Sequence, residues 1–543
     1  MTMLFDWIIR GGTVVDGENK PAFRADVGIR GERIEAVDDL SGAESRYAVE
    51  AAGALVTPGF FDVHSHSDTY LLLEPEAPSK LSEGVTTEIN GQCGGSAVPR
   101  LGPARLSSDW ASQVYPERLP DGAVRRAAAP GPTWTTVATY RELFDAVRPA
   151  INSIQFIGHN TLRAGVMGYE AKQASPDDLR EMARRLEQAL DEGGWGLTTG
   201  LLYQPGKYST EGEVTELARV AARKEGIYAT HMRSESVRIL EAVDEVLRLA
   251  RATGIQVEIS HLKTSGRKNW SKIDALLEKL VAAKTEGINL FSDRYPFVAA
   301  GTDLDVVLPD WAIEGGRDAE LARLADPVQR ARIASELDGS GRDWETVRIG
   351  GGWSDLTRGF CGQTLAGAAR ALGRSPGETV CAFVEADLTR TGAFFFGMSE
   401  ENLHRIYELP WIMCGSDASV RAPWGVLGRD FPHPRAYSSF SRFFRLLTGR
   451  VEGFRRICSR EEAIHRLTGL PAKVFGVKDR GVLRKGAFAD IAVWHEDAFC
   501  GTASYDTPHR FTSGVDAVFV NGVLSYQQGV FTGRRAGRFL SKR

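Results

Sequence analysis

The chain has 543 residues, with 66 basic and 70 acidic side chains and a formal charge of −4. Its 43% hydrophobic, 25% charged and 9% aromatic content is the balance of an ordinary soluble globular protein. The near-neutral charge argues against a nucleic-acid binder or a polybasic membrane binder, and no apolar run approaches the roughly 18 residues of a membrane span.

The N-terminal stretch MTMLFDWIIRGGTVVDG lacks the basic region and the apolar length of a signal peptide and enters a strand pattern at once. Trp7-Ile8-Ile9 and Thr13-Val14-Val15 flank Gly11-Gly12, and Asp26–Ile29 meets Arg33-Ile34 across Gly31-Glu32; alternation broken by glycine predicts two hairpins. From Pro58 the rhythm changes to short apolar runs alternating with helical periodicity. Runs at 151–157, 195–199, 227–231, 256–261 and 288–291 predict strands. Between them, 176–192, 210–224, 237–253 and 272–284 carry helical spacing. This alternation predicts an α/β fold with a parallel sheet, and its length suits a (β/α)8 TIM-like barrel. Beyond residue 480 strands return at 491–494, 515–520 and 523–526, the last two joined by Asn521-Gly522, a strong hairpin signal. The expected organisation is a small β-sandwich domain built from both termini (1–57 and 480–543) around a catalytic barrel (58–479). Two insertions interrupt that scheme, near 101–135 and 298–345, and each reads either as a lid over the site or as a solvated surface excursion.

The chemistry-bearing segment is Pro58-Gly59-Phe60-Phe61-Asp62-Val63-His64-Ser65-His66. Residues i and i+2 on a strand share a side, so His64 and His66 present two imidazoles together. Alone the pair is weak. Two more of the ten histidines, His231 and His261, follow predicted strands one βα repeat apart, and Asp417 follows the apolar run 411–414 in Gly-Ser-Asp. Strand C-termini are where such barrels keep their active sites, and several imidazoles with oxygen and sulfur donors suit zinc.

These stretches resemble the metal-dependent amidohydrolase superfamily and, more closely, its D-aminoacylase (N-acyl-D-amino-acid deacylase) branch. Also similar are Lys80–Thr87, Gly91-Gln92-Cys93-Gly94, Gly158–Arg163, Thr230–Arg233, Ser260–Lys263, Tyr295-Pro296 and Gly481–Asp490. Hydantoinase-like relatives bridge two metals with a carboxylated lysine, but no lysine occurs here between Lys80 and Lys172. The D-aminoacylase branch uses a cysteine at the position Cys93 occupies. The resemblance therefore implies a zinc amidohydrolase that releases a D-amino acid from its N-acyl derivative. Its metal residues would be His64, His66, Cys93, His231, His261 and Asp417. One zinc would sit tightly on Cys93, His231 and His261, with a second, weaker position at His64 and His66. Asp417 would be the catalytic general base and acid, and Lys263, Tyr295 and Arg435 would hold the substrate carboxylate. Competing readings are a cyclic-amide or dipeptide hydrolase on the same scaffold, or a non-catalytic relative acting as a binding protein. The expected partner is a small-molecule substrate, with no nucleic acid and no membrane. Six scattered cysteines (93, 361, 381, 414, 458 and 500) suit a cytoplasmic location. His159 reads as a neighbour of the site, His433 as a loop residue near substrate, and His404, His465, His495 and His509 as surface residues.

Overall fold

The computed structural model describes residues 4–108, 117–118, 124–125 and 133–542. The central part of the insertion expected at 101–135 therefore lies outside the described residues, apart from two two-residue strands. No helix among the described residues is long and apolar enough to cross a membrane.

Both termini build one nine-stranded sheet. In spatial order its path runs through Val530–Phe531, Val523–Gln527, Val515–Val520, Ile491–Trp494, Leu55–Pro58, Leu4–Val14, Phe23–Arg30 and Arg33–Asp38, and Glu44–Glu50 pairs with Leu4–Val14. The two ends of the chain join where Leu55–Pro58 runs antiparallel to Ile491–Trp494, with Val56 opposite Val493. Asn521 (φ 48°) and Gly522 (φ 78°) are both left-handed, as the tight turn between Val520 and Val523 requires. At Gly11-Gly12 the expected hairpin is instead a bulge inside a single strand. Ile9 faces Val27 and Gly12 faces Ala25, so one residue is extra, and Gly11 absorbs it at φ 66°. A bulge flips the alternation phase just as a turn does, which is why the pattern alone suggests two strands.

The centre of the sheet is buried on both sides, at Leu55–Pro58, Ile491–Trp494 and Val515–Val520, because its strands alternate. Ile491, Val493, Ala517 and Phe519 point into a core closed by Val14, Ile29 and Val56. Ala492, Trp494, Val518 and Val520 point the other way, into the main core shared with Phe60, Phe440 and Phe444. Trp494 is fully buried, donates its indole N–H to Thr57 Oγ1 at 3.1 Å and meets Phe444 edge-on at 4.9 Å.

The middle of the chain alternates strand and helix as expected, and its strands are parallel. Phe60–Asp62, Val85–Asn90 and Asn152–Gln155 form one series. Ile157–Gly158, Gly196–Gly200, Ile227–His231, Gln256–Ile259, Leu290–Asp293 and Ile412–Met413 form the other. Phe156 N donates to Asn90 O at 2.9 Å, stitching the two together where they are consecutive in sequence. At the opposite ends Asp417 N donates to His64 O at 2.8 Å and Ser65 bridges Ala418 in parallel, so the first and last strands also meet. Intervening helices follow from local signals: Pro176–Asp191 begins at a Ser175 capping box with proline in its first turn and buries Met182, Leu186, Ala189 and Leu190, one face at helical spacing.

The excursion expected at 298–345 continues to Phe396. Ala299–Asp303, Gly392–Phe396 and Val347–Ile349 make an antiparallel three-stranded sheet, and helices Pro327–Asp338 and Pro376–Ala386 pack on it. Leu304, Ile333, Leu337, Ile349, Val380 and Phe383 form a separate core there. The segment is thus a packed substructure, because residues of 298–345 such as Leu304, Ile333 and Leu337 share one core with Ile349, Val380 and Phe383 from the later half.

Truncating Trp494 removes the side chain that joins the terminal sheet to the main core. Trp494→Ala is expected to cost about 3–5 kcal/mol, read as a lowered urea midpoint; a loss under about 1 kcal/mol would show that the two bodies are held together elsewhere.

Candidate metal centre and its cavity

Three of the residues singled out from the sequence, His261 and Asp417 by position and Cys93 by resemblance, sit on left-handed backbone: Cys93 (φ 52°), His261 (φ 37°) and Asp417 (φ 52°). Such conformations cost about 1–3 kcal/mol each off glycine and persist only where the surroundings enforce them. Here they turn three side chains inward from separate strand ends. The Cys93 sulfur lies 3.4 Å from His64 Nε2, 3.3 Å from His261 Nε2 and 3.6 Å from His231 Nδ1. Asp417 Oδ1 lies 3.0 Å from His66 Nε2 and 3.5 Å from His64 Nε2. Ligand atoms of His64, Cys93, His261 and Asp417 all fall within 4.8 Å of one another.

This donor set fits zinc: one soft thiolate, imidazole nitrogens facing it, and a carboxylate beside them. Burial opposes a Cys93 thiolate, but the His64 and His261 charges and hydrogen bonds from His231 and His261 hold its pKa well below the ordinary thiol value. Asp417 is also held well below the carboxylate range against burial, chiefly by Arg435 and His261; Arg435 Nη1 bonds its Oδ2 at 2.7 Å. Burial works against charged His66 and His261 too. Asp417 and Cys93 nevertheless raise His66 to about 9, while Glu235, Cys93 and Asp417 outweigh burial and Lys263 to raise His261 to about 10.

The residues expected at the substrate carboxylate, Lys263, Tyr295 and Arg435, line one cavity of about 620 Å3 together with His66, Cys93, His231, His261 and Asp417. Tyr295 is fully buried and its hydroxyl has no hydrogen-bond partner among the described residues. Cationic Arg294 and Arg435 lie 4.0 and 4.8 Å from its ring centroid. Lys263 and Arg435 are held by carboxylates, Glu235 and Asp417, and are not solvated loop charges. His433, Ser419 and Arg421 line the same cavity, as do Thr302, Arg342 and Phe394 from the 299–396 excursion.

Other histidines divide differently from expectation. His159 lies outside the cluster, with Nε2 2.8 Å from Glu213 Oε1. His404, read as a surface residue, is buried and bonds Arg455 O at 3.0 Å, because the 450–456 loop covers its helix. His465, half-buried, bonds Gly17 O at 2.7 Å, His495 pairs with Asp516, and His509 bonds Asp430 O at 2.8 Å.

Sequence reasoning missed Asp293, Glu235 and Tyr203. Asp293 Oδ2 lies 3.0 Å from His64 Nδ1, and burial together with that Asp293 charge pushes neighbouring Glu258 well above the carboxylate range. The signal for Asp293 was present, since it ends strand Leu290–Asp293 in the same way that His231 ends its own. Glu235 and Tyr203 (ring centroid 4.9 Å from His231) come from loops, where spacing carries no register.

A protein-family model described as amidohydrolase family matches residues 48–352 and 414–526. An N-acyl-D-glutamate deacylase of Alcaligenes xylosoxydans xylosoxydans is 34% identical over 539 residues, 99% of this chain and 96% of that protein. A solved N-acyl-D-glutamate deacylase from Bordetella bronchiseptica, complexed with zinc and a phosphonate mimic of the tetrahedral intermediate, is 31% identical. Its TM-score is 0.82 over 99% of this chain and all of that one. A D-aminoacylase studied for its binuclear metal center, with one-metal activation and second-metal attenuation, is likewise 31% identical, with a TM-score of 0.80 over 99% of this chain and all of that one.

Raised histidines set a direction for metal loading. With His66 raised to about 9 and His261 to about 10, both rings are expected to hold protons in the metal-free protein at pH 8, while the Cys93 thiol is shifted toward its thiolate, and a metal needs the imidazole lone pairs. Zinc uptake should release protons and tighten as pH rises from 7 to 9. Titration calorimetry in two buffers of different ionisation heat measures this; an enthalpy independent of buffer would show that both histidines are neutral.

Proposed function

The chain belongs to the amidohydrolase family, and from that membership we propose that it is a zinc-dependent hydrolase of N-acyl-D-amino acids, releasing a carboxylate and a free D-amino acid. The observation that carries the reading is the Cys93 sulfur facing three imidazoles in a cavity that also exposes Tyr295, Lys263 and Arg435. A thiolate at this position supports the acyclic-amide branch over the lysine-bridged cyclic-amide enzymes.

In this reading Cys93, His231 and His261 hold one zinc tightly, and His64 and His66 border a second, weaker position, with Asp417 adjoining both. The zinc supplies a Lewis acid for the amide carbonyl and makes water more acidic. Asp417, ionised throughout the working pH range and oriented by His66 and Arg435, takes the proton of the attacking water. It then delivers that proton to the departing amine nitrogen. Lys263, Tyr295 and Arg435 bind the substrate α-carboxylate; the Tyr295 hydroxyl supplies one donor, and Arg435 retains the Nη1 bond to Asp417 while its buried Nε, like that hydroxyl, has no hydrogen-bond partner among the described residues.

We read the two parallel series as one closed (β/α)8 barrel (58–479), and the terminal sheet as a small β-sandwich domain (1–57 and 480–543). The meeting of Ser65 with Ala418 and the enclosed core around Val27 and Val493 support these readings. The six cysteines, all free, support a cytoplasmic location.

Asp417→Asn should lower turnover by about 100–10,000-fold while zinc content by elemental analysis stays near that of the parent; retained turnover would overturn the general-base role. A panel of N-acetyl-D- and N-acetyl-L-amino acids with hydantoins tests the substrate class. Hydrolysis confined to the D series is expected, and hydrolysis of hydantoins alone would overturn it.

A further inference from the structure

Each metal-facing imidazole needs its lone pair on one side and its N–H on the other, and a neutral imidazole has one of each. His261 faces Cys93 with Nε2, whereas His231 faces it with Nδ1. The two rings therefore require opposite tautomers, so a shared intrinsic preference cannot set both. What they share is Glu235, on the loop after strand Ile227–His231. Its Oε1 lies 2.9 Å from His261 Nδ1, and its Oε2 lies 3.6 Å from His231 Nε2, a buried nitrogen with no hydrogen-bond partner among the described residues. The Glu235 side chain is 9% exposed. A carboxylate accepts and cannot donate, so Glu235 favours an N–H at His261 Nδ1 and, across a longer 3.6 Å gap, at His231 Nε2, which leaves the lone pairs toward Cys93; the Lys263 ammonium, 2.8 Å from the same His261 Nδ1, can only donate and favours the opposite tautomer there.

His231, Glu235 and His261 also form a cluster whose spacing could hold a cation. That place has a cation already: the Lys263 ammonium bonds Glu235 Oε1 and lies 2.8 Å from His261 Nδ1. Lys263 also lines the cavity. One carboxylate thus touches two metal-facing rings on one side and a cavity-lining cation on the other.

We infer that Glu235 is a positioning residue shared by both halves of the site, setting the proton of His231 and His261 and the seat of the Lys263 charge. The inference rests on the metal reading of the proposed function. Loss of a carboxylate behind a metal-bound histidine typically costs 10–100-fold in metal affinity, and here two rings share one.

The test uses the full chain, the parent beside Glu235→Gln, Glu235→Asp and Lys263→Met, each loaded with zinc or with cobalt(II). Glu235→Gln should release zinc to a chelator about 10–100-fold faster and shift the cobalt absorption bands, including the thiolate charge-transfer band. It should also lower kcat and raise KM together on an N-acetyl-D-amino acid. Lys263→Met should raise KM alone and keep the parent's zinc release and cobalt spectrum. Glu235→Asp, which keeps the charge on a shorter arm, should fall between the parent and Glu235→Gln in zinc release, and carries the comparison by itself if Glu235→Gln does not fold. Parent-like zinc release and cobalt spectrum in the Glu235 variants would overturn the inference, as would Lys263→Met matching their zinc loss. A parent that takes up neither metal would instead overturn the metal reading beneath it.

Discussion

A buried ammonium holds the site together from below. Lys80 is 2% exposed, yet its Nζ lies 2.6 Å from Asp62, 3.0 Å from Ser416 Oγ and 2.9 Å from Ala418 O. A charge is tolerated away from water only when its partners replace that water, and these partners come from the strand that carries His64 and the loop that carries Asp417. Asp62 reinforces the junction by accepting from Ser416 N at 2.8 Å. The pair therefore fixes the first and last strands of the parallel series against each other. Gly415 sits in the seam, where a Cβ would come within 2.5 Å of the His64 Cβ and 2.6 Å of Asp293 Oδ1. His64 and Asp417 can approach to 3.5 Å only because this junction leaves no room for anything larger.

Above that junction the polar groups are organised by compensation. A buried thiolate, several imidazoles and the carboxylates Asp417, Asp293 and Glu235 would each be costly alone. Placed within a few ångströms, each favours the charged form of its neighbours. Glu258, by contrast, lies beside a like charge and is pushed toward its neutral form, so carboxyls on adjacent strands are shifted in opposite directions. Three site residues, Cys93, His261 and Asp417, also sit on left-handed backbone just past strand ends, a conformation with a cost that turns their side chains inward.

The 299–396 excursion brings its own core, and so it can present Thr302 and Phe394 to the cavity as a firm wall. The parallel strands supply the chemistry from their ends, and this packed addition shapes the far side of the space a substrate would enter. The terminal sheet plays a different part. By alternating Ile491, Val493 and Phe519 against Ala492, Trp494 and Val518, it closes one core of its own and caps the main one.

Much of this was legible from order along the chain. Period-2 and period-3.6 patterning is a local property, so the strands, the helices and the Asn521-Gly522 turn follow from neighbours in sequence. His64, His66, His231, His261 and Asp417 were visible because they stand at strand ends, where register aims a side chain. Cys93 and the cavity-lining Lys263, Tyr295 and Arg435 came from motif resemblance, since a lone cysteine or a loop cation has no pattern of its own. Gly11-Gly12 and the end of the excursion were misread for one reason: the partner that distinguishes a bulge from a turn, or completes a small core, lies elsewhere in sequence. By itself, the sequence determined the α/β alternation and the residue types that meet at the cluster. Only the tertiary structure decided that Glu235 stands behind two histidines, that Lys80 pins His64 to Asp417 across more than 300 residues, and that His404 is covered. Each of these depends on distances between segments far apart in the chain, which local propensity does not encode.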